Sequence, residues 1–363
     1  MKPLDVDRNV LVGDRFIPES ESMIEPNVNA PLEEVRWGMI GCGDVTERKS
    51  APALGKVAHS RLVAVMSRTE HRVRDYAERH AVDKWTTNAQ EVIDDPDVNA
   101  VYISTPPDSH LEYAQMAAQA GKPVYVEKPM GRTHDEALRI LDACQSARVP
   151  LYVAFYRRAL PNFLKVKDLI ENGAIGTVNT VHITLHEGPN VEKGQPEADL
   201  PWRLRPSISG GGFFMDLACH QFDFLDFILG PIARANGSVA NRAGLYNADD
   251  TVTASFEFES GAIGSGTWSF SSSPPGSRDI VEICGGRGRI LFSSFQQDPV
   301  RVDTGDGSES IPTVWPEHVQ QPLIETVVAD LRGAGTCPST GESAARANKV
   351  IDAVYRDNPW IAR

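Results

Sequence analysis

The sequence predicts an α/β protein in two parts: a parallel sheet of alternating strands and helices first, then a part with an antiparallel sheet and further helices. Between residues 35 and 155, short apolar segments alternate with helical ones, the pattern of right-handed βαβ units. From Ala233 onward, β-rich segments follow one another across tight Gly-containing turns, the pattern of antiparallel hairpins. The length of 363 residues, with 41% hydrophobic and 23% charged, suits two domains around a large core. The pattern divides the chain into a polar extension at 1–34, the parallel part at 35–155 and the second part at 156–363.

Residues 1–34 are polar, acidic and Pro-containing, with little periodicity. They read as a disordered tail by default, or as an arm that docks on a neighbouring subunit. The fold begins with an apolar strand, Val35–Ile40, that runs into Gly41-Cys42-Gly43-Asp44-Val45-Thr46. The two glycines permit a tight turn and the close approach of a pyrophosphate to backbone N–H groups. Gly41, Cys42, Gly43, Asp44 and Val45 are therefore the candidate phosphate loop of a dinucleotide-binding Rossmann domain. Thr46 stands where the fingerprint has a third glycine, whose role is helix–strand packing, and Pro52 places the start of the regular helix near Ser50-Ala51.

The next strand, Leu62–Met66, ends in Ser67-Arg68, about 25 residues past the glycines, where such a domain reads the adenosine ribose. A hydroxyl and a guanidinium in place of an acid suit a 2′-phosphate, with Arg72 one helical turn beyond. This predicts NADP as the preferred cofactor and NAD as the alternative. The competing reading makes Arg68 and Arg72 plain solvent-facing residues at a helix start.

The alternation continues with a helix at Glu70–His80 and a strand at Ala100–Ser104, which ends in Thr105-Pro106-Pro107-Asp108-Ser109-His110. A helix at Ser109–Ala120 is stopped by Gly121. The strand Val124-Tyr125-Val126 then ends abruptly in Glu127-Lys128-Pro129. Ligands of an open parallel sheet bind beyond the carboxyl ends of its strands, which puts Lys128 where a reacting substrate would lie. Pro129 constrains the exit of the lysine stem, and the sequence leaves open whether the Lys128–Pro129 bond is cis. A helix at Thr133–Ala147 and a strand at Leu151–Phe155 follow, delivering Tyr156, Arg157 and Arg158 to the same edge.

The second part begins with a helix at Asn162–Asn172, a strand at Val178–Leu185, a long polar loop and a glycine-led helix at Gly210–Leu229. Strands follow at Thr251–Glu259, Ala262–Phe270, Ile280–Cys284 and Arg289–Phe295. A helix at His318–Leu331 and another from near Ser339, with Glu342 as its capping-box residue, end the chain. In the glycine-led helix, Asp216 and His220 are four residues apart and share a face. A carboxylate there can fix an imidazole that moves a proton, and Asp223 either orients the ring or caps a buried network.

The net charge of -13 argues against a nucleic-acid partner. No apolar run spans a bilayer, and no apolar signal core follows Lys2. The five cysteines are scattered without a C-x-x-C pair, which fits reduced thiols in the cytoplasm, and no metal-ligand spacing appears.

In this order, Gly41-Cys42-Gly43, Thr105-Pro106-Pro107-Asp108-Ser109-His110, Glu127-Lys128-Pro129 and Gly210-Gly211-Gly212…Asp216…His220 resemble the glucose–fructose oxidoreductase / inositol dehydrogenase / MocA family. The resemblance covers roughly residues 35–355. It implies a Rossmann domain followed by an α/β domain on an open, mainly antiparallel sheet. It also implies interconversion of an alcohol and a ketone or aldehyde on a sugar, cyclitol or related polyol with NAD(P). Cofactor contacts fall on Gly41 to Val45, Ser67, Arg68, Arg72, Thr105, Pro106, His110, Glu127 and Lys128. The motif lysine matches Lys128, expected to polarise the substrate oxygen; the motif histidine matches His220, expected to carry the proton. Asp216 is expected to hold the imidazole or a neighbouring hydroxyl. Tyr156, Arg157, Trp202 and Arg203 are candidates for the substrate wall, with Arg157 the partner for an acid or many hydroxyls.

Two features depart from the family plan: Thr46 and the first 34 residues. Two other functions sit on the same fold, an NAD-dependent glycosidase and a cofactor-sensing regulator; the intact Lys128 and His220 argue against the sensor. The expected partners are a small polyol or sugar and further copies of the chain. Many strands with few helices to cover them predict a large apolar sheet face, and a homo-dimer or homo-tetramer formed through it.

Overall fold

The computed structural model describes residues 30–356 apart from 190 and 193. The first sheet has six parallel strands: β1 (Val35–Ile40), β2 (Ser60–Met66), β3 (Lys84–Thr86), β4 (Ala100–Ile103), β5 (Val124–Val126) and β6 (Leu151–Val153). Their order is β3-β2-β1-β4-β5-β6, so the winding reverses between β1 and β4. Such a switch point opens a crevice beyond the carboxyl ends of the strands. Every residue of β4, β5 and β6 is buried, which is why these strands read as unbroken apolar runs. The edge strand β3 was not legible: it has three residues, two of them exposed.

The segment after Gly43 is helical sooner than Pro52 suggested, with a short helix Asp44–Arg48 ahead of Ala51–Lys56. Thr46, in the place of the third glycine, is fully buried, and its hydroxyl donates to Gly43 O at 2.7 Å. The last helix, Gly341–Tyr355, is capped by Thr340 with Ser343, not Glu342, closing the box. Ser343 occupies the third helical position, from which a side chain reaches back to the cap.

The second sheet has eight strands: β7 (Val178–His186), β8 (Ile232–Ala240), β9 (Thr251–Phe258), β10 (Ile263–Ser269), β11 (Arg278–Gly285), β12 (Gly288–Phe292), β13 (Val300–Thr304) and β14 (Gly307–Ile311). Their order is β14-β13-β12-β11-β7-β10-β9-β8, antiparallel throughout except for the β7–β10 pair. One face sends Val181, Ile183, Leu185, Phe256, Trp268 and Ile283 into the core. The opposite face is not the large apolar surface expected. It carries Thr180, His182, Thr184, Thr253, Ser255, Ser265 and Thr267, with His182 Nδ1 2.9 Å from Ser265 Oγ and His186 Nε2 3.1 Å from Thr267 Oγ1. Strict alternation explains this: one face enters the core, and the other takes residues that favour strands and tolerate water.

The C-terminal helices hold the two sheets together. Gln321–Leu331 packs on the Tyr156–Ala159 turn and on the Ala51–Lys56 helix, while Gly341–Tyr355 packs on β8, on Phe213–Leu229 and on His134–Ala147. Ser339 Oγ donates to Val153 O at 2.6 Å at the end of the first sheet. The predicted extension lies mostly at residues 1–29, outside the described residues; at its end, Leu32 N donates to Leu331 O at 3.0 Å.

Candidate active site

A cleft opens beyond the carboxyl ends of β1, β2, β4 and β5, with the Phe213–Leu229 helix and the Trp202–Leu204 turn as its far wall. At the nucleotide end, Gly41 has φ +109°, and a side chain there would meet the Ser104 backbone at 2.9 Å. A side chain at Gly43 would enter open space. That space beside bare backbone is the cradle a pyrophosphate needs, so the residues present fit a dinucleotide. Cys42, Asp44 and Val45 also line it. Burial pushes the Cys42 thiol up to about 12, so it packs as a small inert group.

Ser67, Arg68 and Arg72 line the same end. Among the described residues, Arg68 and Arg72 have no carboxylate partner, whereas their neighbours do: Arg74 pairs with Glu78, and Arg79 with Glu47 and Asp75. Thr105 and Pro106 line the cleft, but His110 does not. It is fully buried, with Nε2 2.8 Å from Thr105 O and Nδ1 3.1 Å from Pro129 O and 3.2 Å from Met130 O. His110 therefore ties together the loops after β4 and β5 and lies outside the cleft lining, whereas the sequence reading expects it among the cofactor contacts. It heads the His110–Gln119 helix with its ring turned under the two loops.

Glu127 lines the cleft and is nine-tenths buried. Its Oε1 accepts from Tyr102 Oη at 2.8 Å and from Gln320 Nε2 at 2.6 Å. Gln320 arrives from the far end of the chain, and nothing in its local sequence marks it. Beside Glu127, the Lys128–Pro129 bond is cis. Lys128 Nζ donates to Asp216 Oδ1 at 2.8 Å and to Asp216 O at 2.9 Å, and Arg203 Nε donates to Asp216 Oδ2 at 2.9 Å. Burial works against the charge on Asp216, but Lys128 and Arg203 outweigh it and hold the carboxyl at about 2. Burial likewise works against the Lys128 ammonium, and Asp216 outweighs it, so Lys128 stays above the ordinary lysine value.

Asp216 thus holds two cations and not the imidazole. It shares a helix face with His220, but a neutral ring competes poorly with an ammonium and a guanidinium for one carboxylate. His220 is buried among rings, with centroids at 5.1 Å to Tyr156, 5.8 Å to Phe155 and 6.2 Å to Phe295, and its Nδ1 has no hydrogen-bond partner. Burial, and then the charges of Arg157, Lys128 and Lys49, push His220 well below the ordinary imidazole value, so it is neutral at pH 7. Asp223 does not touch it; that carboxylate takes Arg158 Nε at 2.9 and 3.0 Å.

Of the four wall candidates, Tyr156, Trp202 and Arg203 line the cleft and Arg157 does not. Arg157 is 1% exposed and donates through Nε and Nη2 to Ser294 O at 2.9 and 2.7 Å. Its guanidinium lies behind the Tyr156 and Phe295 rings, at 5.0 and 4.5 Å from their centroids. The chain leaves β6 in a 3₁₀ turn, Tyr156–Ala159, so consecutive side chains fan out and only the first meets the cleft. Lys49, Phe295 and Gln320 line the cleft and were missed from sequence. For Lys49 a signal was present: a lysine just past the phosphate loop and ahead of the Pro52 helix start.

A parallel sheet with a glycine turn at its switch point, facing a lysine–aspartate–histidine cluster whose aspartate and histidine come from the Phe213–Leu229 helix, defines a dinucleotide-dependent oxidoreductase. Residues 35–155 match the family model described as an oxidoreductase family with an NAD-binding Rossmann fold, and residues 163–291 match the GFO/IDH/MocA C-terminal domain. An oxidoreductase of Formosa agariphila is 40% identical over 318 residues, covering 88% of this chain and 97% of the relative. Myo-inositol 2-dehydrogenase of Thermotoga maritima is 30% identical, covering 73% of this chain and 77% of the relative. Levoglucosan dehydrogenase, solved in complex with NADH and levoglucosan, shares the fold with a TM-score of 0.81 at 24% identity, covering 91% of this chain and 98% of that one. The chain belongs to the Gfo/Idh/MocA family of NAD(P)-dependent oxidoreductases.

Proposed function

We propose that the protein is an NADP-dependent dehydrogenase or reductase that interconverts an alcohol and a ketone or aldehyde on a sugar, cyclitol or related small polyol. The observation that carries this reading is a charged Lys128 and a neutral His220 lining one cleft beside a cofactor cradle. When bound, the nicotinamide supplies the hydride chemistry. The backbone of Gly41 to Val45 would hold the pyrophosphate, and Arg68 with Arg72 the 2′-phosphate.

Lys128 points Nζ at two acceptors of Asp216, which leaves one ammonium proton for a substrate oxygen. Its charge favours the alkoxide-like oxygen of the transition state. Asp216 keeps Lys128 protonated, so Lys128 steadies the oxygen while the proton goes elsewhere. His220 is in the neutral form that accepts a hydroxyl proton as an alcohol is oxidised, and that returns one in the reverse direction.

The reading places the protein in the cytoplasm, supported by five cysteines that are all unpaired. No helix of the described residues is long and apolar enough to cross a membrane, and no group of described residues could hold a metal. The reading also includes a cofactor part at 35–155, a substrate part at 156–363, and a homo-dimer or homo-tetramer. The outer sheet face would meet a second copy through a mainly polar surface, with Ile263 and Ile280 exposed among its Thr, Ser and His residues. The test of function is a screen of polyols and keto-sugars that follows absorbance at the reduced-nicotinamide band. Turnover with NADP(H) on one such compound is expected; no turnover across the series would refute the reading.

A further inference from the structure

The substrate end of the cleft holds more positive charge than its carboxylates answer. Three cations face it, Lys49, Lys128 and Arg203, against two carboxylates, Glu127 and Asp216. Both carboxylates are engaged: Glu127 by Tyr102 and Gln320, Asp216 by Lys128 and Arg203. Lys49 has no ion pair or side-chain hydrogen bond among the described residues, and neither η nitrogen of Arg203 has a hydrogen bond among them. Elsewhere this acidic protein pairs such groups readily, as at Lys56–Glu317 and Lys84–Asp95.

Arg203 is oriented with its η nitrogens unused, and Lys49 is anchored through its backbone. Arg203 is fixed through Nε on Asp216, and its guanidinium carbon lies 4.3 Å from the Trp202 ring centroid, which orients the planar fork. The Lys49 backbone is pinned where its carbonyl accepts from Gln320 N at 3.2 Å, next to the Glu127 network. Gln320, whose N–H that carbonyl accepts, in turn donates Nε2 to Glu127 Oε1 at 2.6 Å beside Lys128, which sets the Lys49 backbone on the Lys128 side of the cleft.

We propose that Lys49 and Arg203 form a carboxylate-binding subsite, and that the substrate is a sugar acid, a polyol bearing one carboxylate. This rests on the dehydrogenase reading above. A surplus of one positive charge matches a monoanion. A dianionic phosphate would exceed it and would lie beside Asp216 and Glu127 at a repulsive cost. The Arg203 η nitrogens supply the forked donors that suit a planar carboxylate, and Lys49 supplies a point charge.

The test pairs D-glucuronate, D-galacturonate and D-gluconate with D-glucose, D-galactose and D-glucitol, and adds glucose 6-phosphate, using the full chain with NADP. Binding of the same compounds without turnover is read from quenching of tryptophan fluorescence. The acids are expected to exceed their neutral counterparts in kcat/KM by about 10- to 100-fold, the size of one charge-assisted contact. Lys49→Met is expected to lower the acid-to-neutral ratio by about 10-fold, mainly through KM, with Lys49→Arg restoring most of it. Neutral compounds turned over as well as the acids would overturn the subsite and leave the dehydrogenase reading standing. A preference for glucose 6-phosphate would overturn the carboxylate assignment. Turnover of none of them would remove the dehydrogenase reading; quenching by the acids that Lys49→Met weakens would still support the subsite, and no quenching would overturn it.

Discussion

Two aspartates on one helix, Asp216 and Asp223, are both buried and both hydrogen-bonded to cations, yet only one belongs to the cleft. Asp216 bridges Lys128 and Arg203, which hold it at about 2. Asp223 faces one guanidinium, with Asp226 nearby; burial comes first and lifts it to about 6 against the pull of Arg158. The more telling difference is in the cations. Arg158 places Nε and Nη2 on Asp223 and Nη1 on Pro338 O, so no nitrogen is left over. Lys128 and Arg203 keep donors free and aimed at open space. Both aspartates sit in buried ion pairs; what sets the Asp216 pair apart is that its cations line the cleft with donors to spare.

That contrast can be broken from either side. Asp216→Asn keeps the shape and removes the charge that keeps Lys128 an ammonium. Turnover should fall by roughly 10²–10⁴, as for positioned acid–base groups, with some loss of stability, because the same charge answers Lys128 and Arg203. Asp223→Ala should leave turnover largely intact and cost more stability. It strands a buried guanidinium, so denaturant unfolding should show a loss of about 3–5 kcal/mol. If Asp216→Asn proved the less stable protein and Asp223→Ala the less active one, the division of roles would be wrong.

The nucleotide end repeats the pattern of unanswered cations, and it sharpens the comparison. Arg68→Ala should weaken NADPH binding by about 10- to 100-fold in a fluorescence titration and leave NADH binding within about 2-fold. Tighter binding of NADH than of NADPH by the unaltered protein would sink the NADP assignment.

The smallest expected effects are in pH dependence. His220 has its folded value depressed, so the unfolded chain binds the proton first. Its contribution to stability is full above 6.5 and declines as pH falls below it. The contribution of Asp216 is full above 3.8 and is lost as pH falls towards 2. For activity, kcat/KM for oxidation should hold through pH 6.5, with its acid limb below that value. The groups that act on His220 from around it are Arg157, Lys128 and Lys49. An acid limb centred above 6.5 would mean that the proton carrier is not this buried, cation-flanked ring.

Much of this arrangement was legible in the sequence because strand ends are legible. The apolar run Val124-Tyr125-Val126 stops at Glu127-Lys128, and in a parallel sheet that fixes which edge Lys128 occupies. The spacing of Asp216 and His220 placed both on one helix face. Spacing could not say what each side chain meets across the cleft. The Lys128–Asp216 pair joins residues 88 apart, and Gln320 reaches Glu127 across 193 residues. Arg157 was expected in the wall because it follows the last strand beside Tyr156, but in the 3₁₀ turn Tyr156–Ala159 neighbouring side chains diverge and Arg157 lies behind the Tyr156 ring. β14, Gly-Ser-Glu-Ser-Ile, was invisible because an almost wholly exposed edge strand needs no apolar alternation.

The central claim is that Lys128, at the end of β5, and His220, on the Phe213–Leu229 helix, act on the same substrate oxygen from one cleft. A double-mutant cycle on kcat with Lys128→Ala, His220→Ala and the combined variant tests it most directly, alongside NADP titration to confirm that His220→Ala still binds cofactor. The account predicts that each single change costs roughly 10²–10⁴ in turnover and that the double variant is little worse than the poorer single, because groups acting as a unit are lost together. Near-normal turnover in His220→Ala, or a double variant whose loss is the full product of the two singles, would contradict it.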